Sequence, residues 1–423
     1  MNCQLLISPG ELLILISVHS IRHLDSHPMW TPIIRDTALS HAIQAKLIDI
    51  FLATETFEGN DISLFYGRSG ILLYKAYLSR LIEEPLFAEA GIRDLQLIYQ
   101  NIHTTSGFNL SEGLAGITFT LKHLEQNAFF EVENTDELLG PELFRKVLAR
   151  SSDLDYLNGT SGILFSLLQS YSKETCQEAG GLWLKGIREL KESSTAENIR
   201  RLFPGGKSSG TLLMPNTGLA YGQPSVLKVL TRLYEMTGDP EVESIAEPFM
   251  TFLLNSQNKG EEEFTFSHKL INGKHASGKI TSCLGDLGCA MSIYTFGAVF
   301  KKPEITALAI ELFRKHSNKR DVEKYGIQNP DFCNGSIGIA HFYARMFNNT
   351  GLEEFRETAE FWYKITLHKA FFEDGLAGYK HYNRTLGFHQ NYGLLEGISG
   401  IGLSFISAIS TIAPKWDSCL LMS

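Results

Sequence analysis

Two kinds of hydrophobic segment alternate along the chain. Runs that begin at a Gly-x-x-Gly motif are apolar on nearly every side, which is typical of helices buried all round. The segments between these runs carry amphipathic helical patterning, as in residues 240–254, 303–313 and 353–365. The first two begin with proline and an acidic residue, as helix starts prefer. The pattern predicts repeated hairpins, each made of an outer amphipathic helix and a buried inner helix.

The Gly-x-x-Gly motif occurs seven times, and this repetition decides the predicted fold. Its first glycines are Gly67, Gly113, Gly159, Gly222, Gly285, Gly335 and Gly397, spaced 46 to 63 residues apart. In the fourth copy Ser225 replaces the second glycine. An open solenoid would need polar capping repeats, and the sequence shows none. We therefore predict an all-α, (α/α)7 toroid, in which glycines allow tight turns and close approach of the inner helix starts.

The repeats also set the predicted domain organisation. Length alone would suggest two or three domains, but the seven repeats predict one domain over 36–423 and an N-terminal extension over 1–35. The short apolar stretch 12–16 follows Glu11 and no basic region, so it does not resemble a signal peptide. Two insertions are predicted: a hairpin within 261–279 around Asn272-Gly273, and an exposed polar loop over 191–214.

Composition excludes several classes of protein. The net charge of −9 and the pI near 5.8 argue against a nucleic-acid partner. No apolar run reaches the roughly 20 residues of a transmembrane segment. Six cysteines in 423 residues are too sparse for a disulfide scaffold. Free thiols in a cytoplasmic protein are the expectation.

Equal positions in the repeats are expected to occupy equal heights around one ring. Cys283 and Cys333 each lie two residues before the first glycine of their repeat, and the two repeats are neighbours. Their thiols should therefore lie side by side at the inner helix starts. Two thiolates are half of a zinc site, and two reduced cysteines packed together are the structural alternative.

The position one residue before the first glycine is polar in six of the seven repeats. It holds Tyr66, Glu112, Asn158, Tyr221, Leu284, Asn334 and Glu396. A row of polar groups at the end of an apolar barrel suits a substrate cavity. Ordinary helix capping is the alternative, since Asn and Glu also serve that purpose. Asp155, four residues before Gly159, lies in a similar rim position.

These seven repeats, with cysteines in the fifth and sixth, resemble the lanthionine synthetase C-like family, which includes the lanthipeptide cyclases. The resemblance covers about residues 40–412. It implies an α/α toroid with a central zinc ion held by two cysteines and a histidine. The reaction it implies adds a peptide cysteine thiol to dehydroalanine or dehydrobutyrine, which forms a thioether ring.

The resemblance carries over to individual residues with several departures. Cys283 and Cys333 match the two zinc ligands, and Asn334 stands where the histidine ligand is expected. Tyr221 stands where the family usually has a proton-transferring histidine, and Asp155 matches an acidic position that the cyclases share. The remaining changes in and beside the fifth motif are Ser282 for tryptophan, Leu284 for tyrosine and Lys279 for arginine.

These departures bear on both halves of the implied reaction. A carboxamide is a poorer zinc ligand than imidazole, so zinc should bind more weakly unless another group completes its shell. The histidines nearest in sequence are His275, His341 and His389; we expect His341 to point into the core. Tyr221 would deliver a proton to the enolate carbon or only hydrogen-bond a carbonyl, and Asp155 would orient a partner or cap its helix.

Three functional hypotheses follow. The first is a lanthipeptide cyclase acting on a dehydrated precursor peptide, with a dehydratase and an exporter as candidate partners that would associate it with a membrane. The second is a catalytically impaired relative that binds a peptide or a dehydratase and has a weakened or lost zinc site. The third is a glycosidase using Glu112, Asp155 and Glu396, which leaves the paired cysteines unexplained.

Overall fold

The computed structural model describes residues 30–132, 135–150, 153–192, 217–258, 263–266, 270–271, 274–275 and 278–423. Helices dominate this part of the chain, and its named strands form two short hairpins. Among the described residues, no helix is both long enough and apolar enough to span a membrane.

Seven inner helices each begin one residue after the first glycine of a repeat. They span Arg68–Leu81, Leu114–Gln126, Thr160–Ser170, Gln223–Thr237, Asp286–Val299, Ser336–Thr350 and Ile398–Ile409. The third shows their character, since every residue in it except Gln169 is buried. This burial on all sides is what the uninterrupted apolar runs predict.

The segments between the inner helices form the outer layer. Its helices span Thr37–Thr54, Pro85–Asn101, Thr135–Leu139, Pro141–Leu148, Lys173–Glu192, Pro240–Asn255, Pro303–Ser317 and Glu353–His368. The three amphipathic segments chosen from the sequence are all helical and extend one to four residues beyond their predicted ends. At the start of Pro240–Asn255, the Asp239 side chain accepts a hydrogen bond from the Glu241 backbone N–H, which caps the helix.

The inner helices form a closed ring. Each packs against the inner helices of the neighbouring repeats, and the seventh packs against the first. Backbone hydrogen bonds join equivalent residues just before the helices: Cys283 donates to Cys333 over 3.1 Å, and Cys333 donates to Leu395 over 3.2 Å. The Leu395 N–H then donates to the Phe65 carbonyl over 3.2 Å. This last bond links the seventh repeat to the first, so the predicted toroid is confirmed.

The motif glycines are required for close approach rather than for an unusual backbone conformation. The first glycines have φ between −104° and −135°, which other residues also adopt. A Cβ on Gly162, however, would lie 2.0 Å from the Tyr156 carbonyl oxygen and 2.8 Å from Leu110 Cβ. A Cβ on Gly285 would likewise lie 2.4 Å from the Thr281 carbonyl oxygen of the preceding turn. The expectations that glycines allow tight turns and close approach are therefore both confirmed.

Both hairpins lie outside the helical layers. In the predicted one, Leu270 pairs with His275 and Ile271 with Lys274 in antiparallel register. The predicted loop over 191–214 lies outside the described residues from position 193 onward. A second hairpin, His381–Asn383 with Gly387–His389, precedes the seventh inner helix and was not predicted.

Most of the predicted N-terminal extension, residues 1–29, lies outside the described residues. The part that follows is docked on the seventh inner helix: Trp30 Nε1 donates to the Ser407 carbonyl over 2.7 Å. The backbone N–H groups of Ile33 and Ile34 both donate to the Ala408 carbonyl. The five described cysteines are all free thiols, as expected.

The C-terminal segment 415–423 fills the interior of the barrel. Its short 3-10 helix, Lys415–Leu420, buries Trp416 and Cys419 completely. Asp417 is also fully buried and pairs with His341 and Arg345 of the sixth inner helix. Between this segment and the glycine motifs lies an apolar cavity of about 30 Å³, which has room for one or two water molecules.

Candidate functional site

Two adjacent residues in each motif form two levels of one ring. The residues two positions before the first glycine are buried, apart from the half-buried Cys333. The residues one position before it are all at least partly exposed: Tyr66, Glu112, Asn158, Tyr221, Leu284, Asn334 and Glu396. The lower level, two residues before each first glycine, closes the barrel. The upper level, one residue before it, forms a mostly polar mouth.

The thiols of Cys283 and Cys333 lie beside each other at this ring, close enough for Cys283 to raise the pKa of Cys333. The Ser282 hydroxyl holds the two repeats together by donating to the Cys333 carbonyl over 3.0 Å. The hydrogen bond to Cys283, followed by burial, raises the pKa of the Cys333 thiol well above its ordinary value. The structure thus brings together the two cysteines that the repeat register aligned, and the Cys333 thiol stays protonated at neutral pH.

Asn334 is engaged at both ends of its carboxamide. Its Nδ2 donates to Cys333 Sγ over 3.2 Å, and its Oδ1 accepts from the Thr281 hydroxyl over 3.3 Å. The amide oxygen, which is the atom able to ligate a metal, therefore faces Thr281, and the nitrogen faces the sulfur. In this arrangement Asn334 supports the thiol pair as a hydrogen-bond donor.

Tyr66 and Tyr221 stand at the mouth on opposite repeats. Burial raises the pKa of Tyr66 above its ordinary value, and the charges of Glu396 and Cys333 add to this. The pKa of Tyr221, whose side chain is 37% exposed, is raised by burial and then by Cys333 and Cys283. Both phenols therefore stay protonated at neutral pH and can donate hydrogen bonds into the mouth.

Other predicted site residues act within the turns that precede the inner helices. Asp155 Oδ1 accepts from the Asn158 backbone N–H over 2.7 Å, as the capping alternative expects. Burial raises the pKa of the Asp155 carboxyl to about 6. The Asn158 Oδ1 accepts from the Ser111 hydroxyl over 3.1 Å, and Glu112 has its backbone N–H bound by Asn109.

Lys279 and Leu284 flank the fifth motif. Lys279 is half-buried, and its carbonyl accepts from the Asp286 backbone N–H over 2.9 Å, closing the turn before the helix. Leu284 is half-buried and packs against the hydrophobic core. Leu284 therefore adds an apolar side chain to a mouth that is otherwise polar.

The three candidate histidines have different positions. His341 is completely buried, with Nδ1 bonded to the Ser404 hydroxyl and Nε2 to Asp417, so its predicted core position is confirmed. His389 is half-buried, and its Nδ1 lies 3.1 Å from the Gly387 carbonyl oxygen. The side chain of His275 lies outside the described part of the chain.

Asp331 and His381 belong to the site although the sequence analysis did not select them. His381 Nδ1 lies 2.5 Å from Asp331 Oδ2, and its Nε2 lies 3.7 Å from Glu396 Oε2. Asp331 occupies the same repeat position as Asp155, four residues before the first glycine, so repeat alignment could have found it. No periodicity points to His381, because it lies on the hairpin inserted between the sixth and seventh repeats.

The described residues around the two thiols do not complete a three-ligand zinc site. Catalytic zinc normally takes three protein ligands and leaves one position open. Within the described ranges, no group of three or more His, Cys, Asp and Glu side chains could hold a metal ion. The third position holds a carboxamide whose nitrogen, rather than its oxygen, faces Cys333 Sγ.

The chain belongs to the lanthionine synthetase C-like protein family, whose model matches residues 60–421. The match covers all seven glycine motifs and most of the C-terminal segment inside the barrel. No curated protein matches the chain by sequence.

Comparison with solved structures identifies the fold more narrowly. The chain is similar to nisin cyclase, with a TM-score of 0.66 and 18% sequence identity over 92% of this chain and 98% of that one. A sugar epimerase from a ruminal bacterium aligns with a TM-score of 0.42 and 11% identity over 89% of this chain and 99% of that one. The first comparison shows that this toroid has the fold of nisin cyclase; the second is too weak to carry an argument.

Proposed function

We propose that this protein is a lanthipeptide cyclase. It joins a cysteine thiol of a precursor peptide to a dehydroalanine or dehydrobutyrine of the same peptide. In this reaction the S–H bond breaks and a C–S bond forms at the β-carbon. The carbon–carbon double bond becomes single, and the α-carbon gains a proton. A dehydrating enzyme must supply the substrate, which makes a dehydratase the expected partner.

The observation that carries this proposal is the thiol pair of Cys283 and Cys333 below an open polar mouth. The two cysteines lie at equal height in adjacent repeats of the ring, where the upper level of polar residues opens above them. The glycosidase hypothesis leaves these thiols unused. The described residues offer zinc an incomplete set of ligands, and the side chains at the mouth can supply the chemistry.

Tyr66 and Tyr221 suit the thiol-addition step of the reaction. Thiol addition places negative charge on the carbonyl oxygen conjugated with the dehydroamino acid. Neutral phenols aimed into a partly desolvated mouth stabilise such an oxyanion, and one donor of this kind contributes about 10²- to 10³-fold in rate. The Asn334 amide holds the Cys333 thiol in place at this mouth by donating a hydrogen bond to its sulfur.

A second candidate is a peptide-binding relative without catalytic activity. Asn334 favours it, because a carboxamide occupies the third-ligand position and both of its ends are hydrogen-bonded. Such a protein would hold a dehydrated peptide at the mouth without joining its cysteine to its dehydroamino acid.

The test uses a short peptide with one dehydroalanine and one cysteine. Cyclisation leaves its mass unchanged, so remaining free thiol is alkylated with N-ethylmaleimide and counted by mass spectrometry. We expect the wild-type protein to protect the thiol, and Tyr221→Phe to slow this by about 10²-fold. Tyr234→Phe is the control and should keep the wild-type rate, because Tyr234 lies at the far end of the inner helix that follows Tyr221.

The outcomes separate the two candidates. Saturable binding of the peptide without loss of free thiol would reject the cyclase and support the peptide-binding relative. If the wild-type protein neither binds the peptide nor consumes its free thiol, both candidates are contradicted.

Replacing Asn334 with histidine is expected to tighten zinc binding by at least about tenfold, because imidazole completes a ligand set that a carboxamide leaves open. Zinc affinity is measured by competition with a chromogenic chelator. The wild-type protein should lose zinc to the chelator first.

Asn158→His provides the matched control. It places a histidine at the same ring level in the third repeat, away from the thiol pair, and should leave zinc affinity unchanged. Equal affinities of the wild-type protein and N334H would show that position 334 does not complete a metal site.

A further inference from the structure

The Asp331, His381 and Glu396 side chains follow one another at the edge of the mouth as carboxylate, imidazole and carboxylate, the first two joined by a hydrogen bond and the last two at ion-pair distance. Asp331 precedes the sixth inner helix, Glu396 precedes the seventh, and the hairpin His381–Asn383/Gly387–His389 places the imidazole between them. The first link is 2.5 Å long and the second 3.7 Å. Residues from three separate elements therefore converge on one line.

Burial differs sharply along this line. The Asp331 side chain is fully buried and that of His381 is 5% exposed, whereas that of Glu396 is 28% exposed. A peptide at the mouth can therefore reach the Glu396 carboxyl but not the groups behind it. Glu396 is the end of the chain that faces substrate.

Hydrogen bonds fix the orientation of the imidazole. Asp331 accepts from the Asn334 backbone N–H through Oδ1, at 3.0 Å, and faces His381 Nδ1 through Oδ2. A carboxylate that only accepts requires the proton on Nδ1, so Nε2 is the nitrogen that faces Glu396, at an ion-pair distance of 3.7 Å. This is the arrangement in which a buried carboxylate orients a histidine that does proton transfer.

Burial and neighbouring charges shift the pKa of both His381 and Glu396. Burial disfavours the imidazolium, but the hydrogen bond and charge of Asp331 outweigh it and raise the pKa of His381. Burial raises the pKa of Glu396 as well, against the charge of His381. The charge of Glu396 also raises the pKa of Tyr66 and of Tyr221, so Glu396 lies within electrostatic reach of both phenols.

We propose that Glu396 is the acid–base residue of thiol addition, and that Asp331 and His381 are positioning residues, which hold an oriented imidazole beside its carboxyl. The proposal rests on the cyclase function proposed above. The Glu396 carboxylate takes the proton from the substrate thiol as sulfur bonds to the β-carbon. The same carboxyl then gives a proton to the α-carbon, so no net proton, electron or co-reactant is needed.

A second Asp–His pair in the molecule shows what a purely structural pair looks like. His316 Nε2 lies 2.7 Å from Asp286 Oδ2, and both side chains are fully buried. Asp286 accepts from the backbone N–H groups of Thr265 and Phe266. That pair ties a loop to a helix, whereas the His381 pair continues to a carboxylate at the open mouth.

The test follows thioether formation on the same dehydroalanine–cysteine peptide. Glu396→Gln should slow the reaction by about 10²- to 10⁴-fold, the usual contribution of one acid–base group, with peptide Kd unchanged. Glu396→Asp should recover part of the rate. His381→Gln and Asp331→Asn should lower kcat more than they change KM. His316→Gln, the structural control, should lower the melting temperature without lowering kcat.

A stereochemical readout separates catalysis from folding effects. In D₂O the wild-type product should carry deuterium at the α-carbon in one configuration. The slow residual reaction with Glu396→Gln should give both configurations, because solvent then delivers the proton. An active wild type with unchanged rate and stereochemistry in Glu396→Gln overturns this proposal alone; an inactive wild type overturns the cyclase function with it.

Discussion

Asp417→Asn is expected to lower the free energy of unfolding by about 3–5 kcal/mol, as removal of one partner from a buried ion pair does. The Asp417 carboxylate is fully buried and accepts from Arg345 Nε at 2.5 Å, Arg345 Nη2 at 2.8 Å and His341 Nε2 at 2.9 Å. Neutralising it leaves the Arg345 charge without its counter-ion inside the barrel. Urea denaturation followed by circular dichroism measures the loss.

The matched control is Asp374→Asn. Asp374 pairs with Lys380 at 2.5 Å, but its side chain is 78% exposed, so this change should leave the free energy of unfolding nearly unchanged. Equal losses for the two variants would show that the segment 415–423 does not stabilise the barrel through its charge.

The pH dependence of the Asp417 effect follows from its environment. Burial opposes ionisation, but the charge of Arg345 and the hydrogen bond from His341 outweigh it and hold the pKa of Asp417 below its ordinary value. The stabilisation is therefore complete above the unfolded value of about 3.9 and is lost as pH falls through the lower folded value. The difference between wild type and D417N should shrink in the same acidic range.

Gly162→Ala is expected to destabilise the protein by about 3 kcal/mol or more, the upper range for an overpacked core. The new methyl group would lie 2.0 Å from the Tyr156 carbonyl oxygen and 2.8 Å from Leu110 Cβ. Neither neighbour can move freely, because the first is backbone and the second belongs to the adjacent repeat. The midpoint of urea denaturation should fall accordingly.

Gly181→Ala tests the same substitution without the crowding. Gly181 lies inside the outer helix Lys173–Glu192, is exposed, and a Cβ there would meet nothing within 4 Å. Alanine should stabilise this helix by about 0.5–1 kcal/mol. A stabilising G162A would mean that the motif glycines are not required by inner helix packing.

The repeat pattern accounts for most of the fold that could be predicted. Apolar runs without a polar side fit only a position between two layers, and seven of them separated by amphipathic helices fit a closed ring. The backbone hydrogen bond from Leu395 to Phe65 follows from this prediction, since a closed ring of equivalent repeats must join its last member to its first. Helix bounds followed from the motif glycines and from Pro240 and Pro303.

The site was predictable only where it follows the repeat register. Cys283 and Cys333 are neighbours in space because they hold equal positions in adjacent repeats. The same logic would have aligned Asp331 with Asp155. His381 escapes this logic, because a hairpin inserted between repeats has no register with the ring.

The sequence by itself determined the toroid, the level of the thiol pair and the polar mouth, because each depends on a local motif repeated at regular helical intervals. Only the tertiary structure decided that Asn334 turns its nitrogen towards Cys333, that 415–423 fills the barrel, and that His381 joins Asp331 to Glu396. These contacts join residues 15 to more than 70 positions apart or depend on side-chain rotation. Neither periodicity nor composition encodes such contacts, since they arise only when separate elements pack.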